Sequence, residues 1–430
     1  MSAKQKLSLF KFKPFSVKQL KVLTWWNENS PVKDKNGIIA DGAIRSGKSL
    51  IMSLSFVMWA MSAFDTSNFA MCGKTIGSFR RNVLFWLKLM LRSRGYKVTE
   101  HRADNYIEIR RKGVINYFYI FGGKDERSQD LIQGITLAGI FFDEVVLMPE
   151  SFVNQAVGRC SVDGSKMWFN GNPGNPTHYF YVEWILKREE RGLIYLHFTQ
   201  EDNLSLSEKI KARYRAMYSG VFYQRYIEGE WIRADGLIYS MYDPKLHNVK
   251  SSELQDMRKY RQLIISCDYG TQNPFVLSMW GEYEGVWYLL KEYYHSGKKT
   301  REQLTDEEYY QELLKFTKGM NIKFIIIDPS AASFITLIKK RGKFTVKSAD
   351  NSVLDGIREC STALKLGLVK FNEDCEDSLL EFGEYIWNVK SGERGIDEPV
   401  KEHDHFMDSF RYFVKTMKIT HPKFKRLGEK

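Results

Sequence analysis

Apolar runs that end in glycine or acidic residues mark the expected strands in the first half of the chain. The run 37–41, Gly-Ile-Ile-Ala-Asp, has the pattern of a short buried strand, and the runs 137–142 and 167–169 resemble it. The long apolar stretch 50–64 predicts a helix packed against the sheet. With 15 residues and several serines, it is too short for a membrane span. Strands that alternate with helices predict an α/β fold with a mainly parallel sheet.

The second half begins with strands that follow one another directly. Residues 263–270 read as a strand that carries Asp268 in otherwise apolar surroundings, and the runs 276–283 and 286–294 read as a hairpin. A hairpin joins antiparallel strands. We therefore predict a mixed sheet for this half.

The chain length favours two domains. Single hydrophobic cores stop growing at roughly 250 to 300 residues, and this chain has 430. With 43% hydrophobic and 14% aromatic residues, it can fill two cores, and it is neither disordered nor of low complexity. We place the join within 233–260 and predict domains at 1–235 and 236–430.

Positive charge is concentrated in the first predicted domain. Residues 1–235 contain 34 Lys and Arg against 23 Asp and Glu, whereas residues 236–430 contain 30 against 29. The tail 413–430 adds six basic residues and one acid, so the body before it is slightly acidic. A basic surface attracts a polyanion such as DNA, although a solvated basic surface that only aids solubility is an equal alternative.

Cysteine spacing and the N-terminal segment indicate the compartment. The five cysteines lie far apart without a CxxC pair, which argues against a disulfide framework and a zinc site. The N-terminus alternates lysines with single apolar residues and lacks the apolar core of a signal peptide. We expect a reducing cytoplasm and no membrane association.

A phosphate-binding motif follows the first predicted strand. The string Gly42-Ala-Ile-Arg45-Ser46-Gly47-Lys48-Ser49 fits GxxxxGK[ST], and the predicted helix follows at once. In a P-loop the backbone N–H groups and the helix N-terminus face the phosphates of ATP, the lysine reaches the β and γ phosphates, and the serine holds Mg²⁺. A chance glycine-rich turn is the weaker alternative, because strand, loop and helix occur in the required order.

Asp143 and Glu144 close the strand-like run 137–142. Beside a P-loop, Asp143 would serve the Mg²⁺ ion and Glu144 would act as the base for the attacking water. An apolar run that ends in Asp-Glu is weak by itself and becomes informative because the P-loop is present.

Two further segments are candidates for contacts with the nucleotide. The run 167–169 ends in Asn170-Gly-Asn172-Pro173, where Asn172 is either a γ-phosphate sensor or part of a plain turn. Upstream, Phe15 and Gln19 lie four residues apart, which suits a contact with the adenine edge or an ordinary helix start.

The arginine that stabilises charge on the γ-phosphate is ambiguous. Arg45 inside the P-loop could act as an arginine finger or be a surface arginine, and Arg127 is an alternative that would act from a neighbouring subunit.

Three aspartates of the second half form a metal-binding pattern. Asp268 lies on the first strand, Asp328 ends the run 323–327 after the helical stretch 305–320, and Asp408 lies on a last helix that opens at Asp404-His405. Each alone has a structural explanation, such as an Asp408 pair with Arg411. Together they have the order of a ribonuclease-H-like nuclease, in which such acids hold two ions that activate water. Oxygen ligands favour Mg²⁺ or Mn²⁺.

The motif order resembles the large terminase subunits of tailed phages. It comprises the P-loop, the Asp-Glu strand, the Asn-Pro strand, Gly229-Glu-Trp231, the two Asp strands and the terminal Asp-His-x-x-Asp-x-x-Arg-Tyr, and it spans about 14–417. The segment 350–358, Asp-Asn-Ser-Val-Leu-Asp-Gly-Ile-Arg, is also similar to the nuclease domain of that family.

The resemblance implies an ATPase that drives double-stranded DNA into a procapsid and a nuclease that cuts concatemers. It implies phosphate binding by the P-loop, a magnesium role for Asp143, catalysis by Glu144, and metal binding by Asp268, Asp328 and Asp408 with His405 close by. Asp404 competes with Asp408 as a ligand. Implied partners are the portal, the small terminase subunit and further copies in a ring, in the host cytoplasm. The alternatives are a recombination or repair nuclease with an accessory ATPase, and a DNA-binding ATPase whose second domain is only structural.

Overall fold

The computed structural model describes residues 12–270, 274–296 and 303–420. The predicted basic tail therefore lies largely outside the described residues. The described chain forms two compact units. The first runs up to Tyr214 and includes Tyr223–Arg233, and the second consists of Arg215–Phe222 and the chain from Ala234 onward. The division into independent domains at 235 and 236 stays a prediction. The sequence pattern of residues 215–222 did not indicate that they belong to the second unit.

The first unit alternates strands and helices. Its elements are α1 Val17–Thr24, β1 Gly37–Gly42, α2 Lys48–Ala63, β2 Asn68–Gly73, α3 Ile76–Phe79, α4 Phe85–Ser93, β3 Lys97–His101, β4 Tyr106–Arg111, β5 Val114–Gly122, β6 Gly139–Asp143, α5 Glu150–Val157, β7 Lys166–Asn170 and β8 Leu193–Phe198. Of the next two helices, α6 Glu208–Met217 is divided between the two units, and α7 Gly220–Tyr223 belongs mostly to the second.

The strands of the first unit form one sheet in the order β3-β4-β5-β2-β6-β7-β1-β8. Only the pairs β3 with β4 and β4 with β5 are antiparallel. β7 pairs with β1 on one side and with β6 on the other, and its register brings Ala40, Asn170 and Asp143 into one row. The carboxyl ends of these three strands therefore meet at one edge of the sheet.

Helix α2 is the centre of the first core. Most of its residues are buried, as the apolar stretch predicted. The Phe56 ring packs against the rings of Trp168 and Phe69, and Trp59 lies 4.8 Å from Trp168 between ring centroids. This aromatic packing fixes the helix, and with it the loop that precedes it, on the sheet.

The second unit is built around the hairpin. Its elements are α8 Pro244–His247, β9 Asn248–Val249, β10 Leu263–Asp268, β11 Phe275–Tyr283, β12 Val286–His295, α9 Asp306–Phe316, β13 Ile322–Ile327, α10 Ala332–Arg341, β14 Val346–Ser348, α11 Val353–Lys365, β15 Val369–Asn372, α12 Glu376–Glu384, α13 Val389–Glu393 and α14 His405–Met417.

The second sheet has the order β14-β13-β10-β11-β12-β15-β9. β11 is antiparallel to both β10 and β12, whereas β10 and β13 are parallel. The predicted α/β fold with one mainly parallel and one mixed sheet is confirmed. Two predicted boundaries shift: α9 ends at Phe316, and the last helix begins at His405 because Asp404 is its N-cap residue.

The five cysteines are free thiols, and four of them are buried. Burial raises the pKa of the Cys72 and Cys267 thiols well above the usual value, so neither is a ready nucleophile. Within the described residues, no helix is long and apolar enough to cross a membrane.

Candidate active sites

The P-loop connects β1 to α2 through two glycines with positive φ. Gly42 has φ 117° and Gly47, the N-cap residue of α2, has φ 89°. A Cβ on Gly42 would lie 2.0 Å from the carbonyl oxygen of Phe198 on β8. Only glycine meets both conditions at this position, because other residues would clash and would be strained at that φ. The loop is thereby held against the sheet edge.

The ammonium of Lys48 is enclosed by the loop itself. Its Nζ donates to the carbonyl oxygens of Gly42 and Ala43 at 2.9 and 2.7 Å, to Ser46 Oγ at 3.1 Å and to Asn172 Oδ1 at 3.2 Å. Burial lowers the pKa of Lys48 to about 8, against the opposing charges of Asp41 and Asp143. Lys48 is therefore buried, because its side chain is turned inward onto these acceptors.

Ser49, Asp143 and Asn170 form a polar cluster beside the loop. Asn170 Nδ2 donates to Ser49 Oγ at 2.8 Å and to the carboxylate of Asp143. Burial raises the pKa of Asp143, although hydrogen bonds from Ser49 and Asn170 and the charge of Lys48 oppose this. Among the described residues, the buried Oδ1 of Asn170 has no hydrogen-bond partner. Hydroxyl, carboxylate and amide oxygens are ligands that Mg²⁺ accepts, so the cluster fits that ion.

Asn172 and Glu144 follow the ends of β7 and β6. Asn172 accepts a hydrogen bond from Lys48, so the residue expected to be a sensor or a turn lies within reach of the P-loop lysine. Glu144 follows Asp143 directly and has φ 60°, an uncommon conformation for a residue that has a side chain. Such strain is concentrated at functional sites, because surrounding structure must hold it.

Gln19 lies at the P-loop while also capping its own helix. Its Oε1 accepts from Ser16 N at 3.0 Å in a capping box, so the predicted helix start is real. Its Nε2 lies 2.6 Å from where a Cβ on Gly47 would be. The helix start is confirmed, whereas the adenine contact of Gln19 stays a prediction.

The two candidate arginines lie on exposed loops. Arg45 has φ 60°, its carbonyl accepts from Asn203 Nδ2 at 2.7 Å, and its guanidinium is 5.7 Å from the Tyr214 ring centroid. Arg127 is exposed in the 3₁₀ turn Glu126–Ile132. Neither position decides which arginine acts as a finger.

Sequence reasoning missed the buried Asp41 at the end of β1. Its carboxylate accepts from Trp231 Nε1 at 2.7 Å and lies 3.0 Å from His197 Nδ1. Gly229, with φ 82°, packs so closely that a Cβ would lie 2.9 Å from Ala43 N. The Gly-Glu-Trp motif therefore braces the P-loop strand, although it lies about 190 residues downstream.

In the second unit, Asp268 at the end of β10 pairs with the first residue of α14. His405 Nδ1 lies 3.1 Å from Asp268 Oδ2. Burial raises the pKa of Asp268 to about 6, with Asp408 and Asp404 adding to the rise and His405 opposing it. Burial lowers the pKa of His405, but the bond to Asp268 and nearby carboxylates outweigh that effect and raise it.

Asp328 follows β13 and is held by donors from two loops. Its Oδ1 accepts from Ser330 N at 2.8 Å and its Oδ2 from Asn351 Nδ2 at 3.0 Å. Burial opposes ionisation, yet these hydrogen bonds and one from Tyr412 lower the pKa of Asp328. Asn351 belongs to the segment 350–358, which the sequence singled out by resemblance only.

Asp408 makes the ion pair that was its structural alternative. Arg411 Nη2 lies 2.7 Å from Asp408 Oδ1, and Arg411 Nη1 donates to the Asn351 carbonyl at 2.7 Å. Gly356 makes room for this arginine, since a Cβ there would lie 2.3 Å from Arg411 Cγ. The pair also ties α14 to the segment that positions Asp328, so it does not argue against a site.

Tyr412 lies next to two of the three aspartates. Its hydroxyl lies 3.5 Å from Asp408 Oδ2 and hydrogen bonds to Asp328. Burial raises the pKa of this hydroxyl, and the charges of Asp408, Asp268 and Asp328 raise it further. Among the described residues, however, no group of three His, Cys, Asp or Glu side chains is arranged so that it could hold an ion. The oxygen-rich set fits Mg²⁺ or Mn²⁺ by donor type.

Two other acids border this cluster. Asp404 is buried, and burial together with Asp408 raises its pKa. Glu381 on α12 is 2% exposed, and burial raises its pKa to about 7 against hydrogen bonds from the backbone of Phe406 and Met407. Sequence reasoning weighed Asp404, included Asn351 and Tyr412 only as members of family-like segments without a role, and missed Glu381.

The first sheet and its loop define a P-loop nucleotide-binding protein with a second α/β unit that gathers acids at a strand end. The family described as terminase large subunit, T4likevirus-type, N-terminal, matches residues 39–243. The large terminase from a thermophilic bacteriophage is 56% identical over 94% of this chain and all of its own, with a TM-score of 0.89. The chain belongs to the terminase large-subunit family.

Two ligand complexes of the same thermophilic-phage terminase are also similar. Its structure with ADP has a TM-score of 0.86 at 56% identity, and covers 94% of this chain and 100% of that chain. Its structure with ATP-γ-S has a TM-score of 0.85 at 55% identity, and covers 94% and 99%. The search of curated proteins returned no match.

Proposed function

We propose that this chain hydrolyses ATP to drive double-stranded DNA into a procapsid, and that its second unit cuts concatemeric DNA with two divalent ions. The observation that carries the proposal is the contact of Lys48 with Asn172, beside the Ser49, Asp143 and Asn170 cluster. It supplies a cation, hard oxygen ligands and a sensing amide within one small region. These are the parts that phosphoryl transfer needs.

The ADP and ATP-γ-S complexes of the thermophilic-phage terminase support nucleotide binding by this chain, and the nucleotide would bind at the P-loop. Lys48 would exchange its bonds to loop carbonyls for the β and γ phosphates. Ser49 and Asp143 would hold Mg²⁺, which supplies charge neutralisation at those phosphates. Asn172, already bound to Lys48, would then respond when the lysine moves.

Glu144 is the proposed general base. Glu144 is adjacent to Asp143 in the sequence, and its φ of 60° turns the chain directly after β6. A carboxylate in this position can orient a water molecule and accept its proton.

We predict that Glu144→Gln binds ATP but barely hydrolyses it. The amide keeps the size of the side chain and loses the basic oxygen, so turnover should fall on the order of a hundredfold or more. Nucleotide binding by calorimetry and phosphate release would be measured together. Glu150→Gln, an exposed glutamate on α5, is the matched control and should retain wild-type turnover. Loss of binding in Glu144→Gln would remove the base assignment.

Asp268, Asp328 and Asp408 are the proposed ligands of the nuclease ions, with His405 and Tyr412 at their border. The ions would supply a nucleophilic water and stabilise the leaving oxygen of the phosphodiester. Neighbouring side chains would orient these three ligands through polar contacts. His405 contacts Asp268, Asn351 donates to Asp328, and Arg411 donates to Asp408.

The segment 80–112 is a basic candidate surface for DNA. It includes α4, β3 and β4 and carries ten Lys and Arg against three Asp and Glu. Several of these cations are exposed, among them Arg81, Lys97 and Lys112. Phosphate contacts through such side chains release counterions and are independent of base sequence, as packaging requires.

We expect duplex DNA affinity to fall steeply with salt. Each neutralised phosphate contributes roughly −0.9 to the log-log slope. Replacing Arg81, Lys97 and Lys112 by glutamine should therefore flatten the slope by about 2 to 3. The matched control removes three exposed lysines of the second unit, Lys339, Lys340 and Lys343, and should change it less. A flat salt dependence of the wild-type protein would contradict the DNA role of the first unit.

The proposed partners are the portal of the procapsid, the small terminase subunit and further copies of this chain in a ring. A pulldown against portal and small-subunit proteins separates this proposal from a repair nuclease, which would act without a capsid. Capture of neither partner, with DNA cleavage retained, would favour the repair nuclease.

A further inference from the structure

Helix α14, which carries His405 and Asp408, is capped from another helix. Asp404 is its N-cap residue, but the Asp404 side chain makes no capping hydrogen bond. Glu381 Oε2 on α12 accepts instead from the backbone N–H of Met407 at 3.1 Å. The first N–H groups of a helix lack partners within the helix, so an acceptor there fixes the first turn.

The other oxygen of Glu381 is fixed by the sheet. Tyr294 on β12 donates its hydroxyl to Glu381 Oε1 at 2.9 Å. β12 pairs with β11, and β11 pairs with β10, which ends at Asp268. Glu381 therefore connects the sheet that carries Asp268 to helix α14, which carries Asp408.

The first turn of α14, which Glu381 caps, is the part of the helix that contacts Asp268. His405 and Asp408 lie on either side of Met407, and His405 contacts Asp268. Deeper along the helix, Ser409 Oγ lies 2.8 Å from Ser266 Oγ and 2.9 Å from Ser278 Oγ, a buried polar cluster on β10 and β11. The serine cluster fixes the register of α14 on the sheet, and Glu381 fixes its end.

We propose that Glu381 is a positioning residue of the nuclease site: its carboxylate holds the first turn of α14 so that His405 and Asp408 face Asp268. The role is based on the proposed nuclease activity. Glu381 itself does not need to contact DNA or a metal ion.

The test uses the full chain and compares Glu381→Gln with Glu381→Ala. Glutamine keeps an oxygen that can accept from Met407 N–H, whereas alanine removes it. We expect Glu381→Ala to raise the Mn²⁺ concentration for half-maximal plasmid cleavage by about tenfold or more, as loss of residues that orient metal ligands does. Glu381→Gln should recover most of the wild-type metal dependence. Wild-type metal dependence in Glu381→Ala, or equal defects in the two variants, would overturn the proposal.

Two additional measurements separate its failure from failure of the nuclease assignment. Hydrogen exchange at the start of α14 should be faster in Glu381→Ala than in the wild-type protein without any metal or DNA, and unchanged exchange would overturn the positioning role. Thr305→Ala removes the cap of α9 in the same unit and is the control for lost stability. It should retain wild-type metal dependence. If the wild-type protein and Asp268→Asn cleave DNA alike, the nuclease assignment fails, and a faster exchange still supports the capping.

Discussion

Replacement of Lys48 by alanine is expected to abolish ATP hydrolysis. The ammonium lies at the end of the P-loop and already binds four acceptors in the loop and at Asn172. An ATP molecule would compete for the same ammonium with stronger, charged phosphate oxygens. Loss of one such group costs on the order of a hundredfold to a thousandfold in rate. Phosphate release at saturating ATP is the measurement.

The variant needs a control for stability because Lys48 is not a surface residue. Its removal leaves buried acceptors without a donor, which costs about 1 to 3 kcal/mol. Lys166 is a matched control: its Nζ donates to the carbonyls of Lys33 and Lys35, both at 2.7 Å, at the opposite end of β7 from Asn170. Lys166→Ala should lose comparable stability and keep its turnover. Lys48→Ala turnover within a few-fold of wild type would refute the P-loop assignment.

The P-loop site was predictable because most of its parts are contiguous or lie at strand ends. Gly42 to Ser49 form one string, and a parallel sheet brings the ends of β1, β6 and β7 to one edge. Asp41 was not predictable, because its partners lie 156 and 190 residues away. Nothing local in the Asp41 sequence separates it from the end of an ordinary strand.

The acidic cluster of the second unit was only partly predictable. The three aspartates follow from strand and helix ends, whereas the packing of Glu381 on Met407 depends on how α12 crosses α14. Tyr412 could have been found, because it lies four residues after Asp408 and so shares its face of the helix. Asn351 was marked by resemblance, but its bond to Asp328 requires the tertiary fold.

The second large effect is expected for Asp268→Asn, which should eliminate cleavage of plasmid DNA with Mn²⁺. Asparagine keeps the size of the side chain and removes the charge that a divalent ion needs. ATP hydrolysis should remain near wild type, since the P-loop belongs to the other compact unit. Asp328→Asn and Asp408→Asn should behave alike, and Asp404→Asn should be milder.

The pKa of Asp268 gives this variant an independent signature. Burial raises that pKa to about 6, so the folded protein favours the protonated carboxyl, and the ionised form costs stability once the pH rises through that value. At neutral pH, Asp268→Asn removes this cost and also weakens the bond to His405, two changes of opposite sign, so it should melt close to the wild-type protein. If Asp268→Asn is as stable as the wild-type protein, hydrolyses ATP and does not cut DNA, then Asp268 acts in the nuclease chemistry. Substitution of a purely structural residue would reduce stability together with activity. The assignment would be falsified by an Asp268→Asn protein that still degrades DNA in a preparation shown to be free of contaminating nuclease.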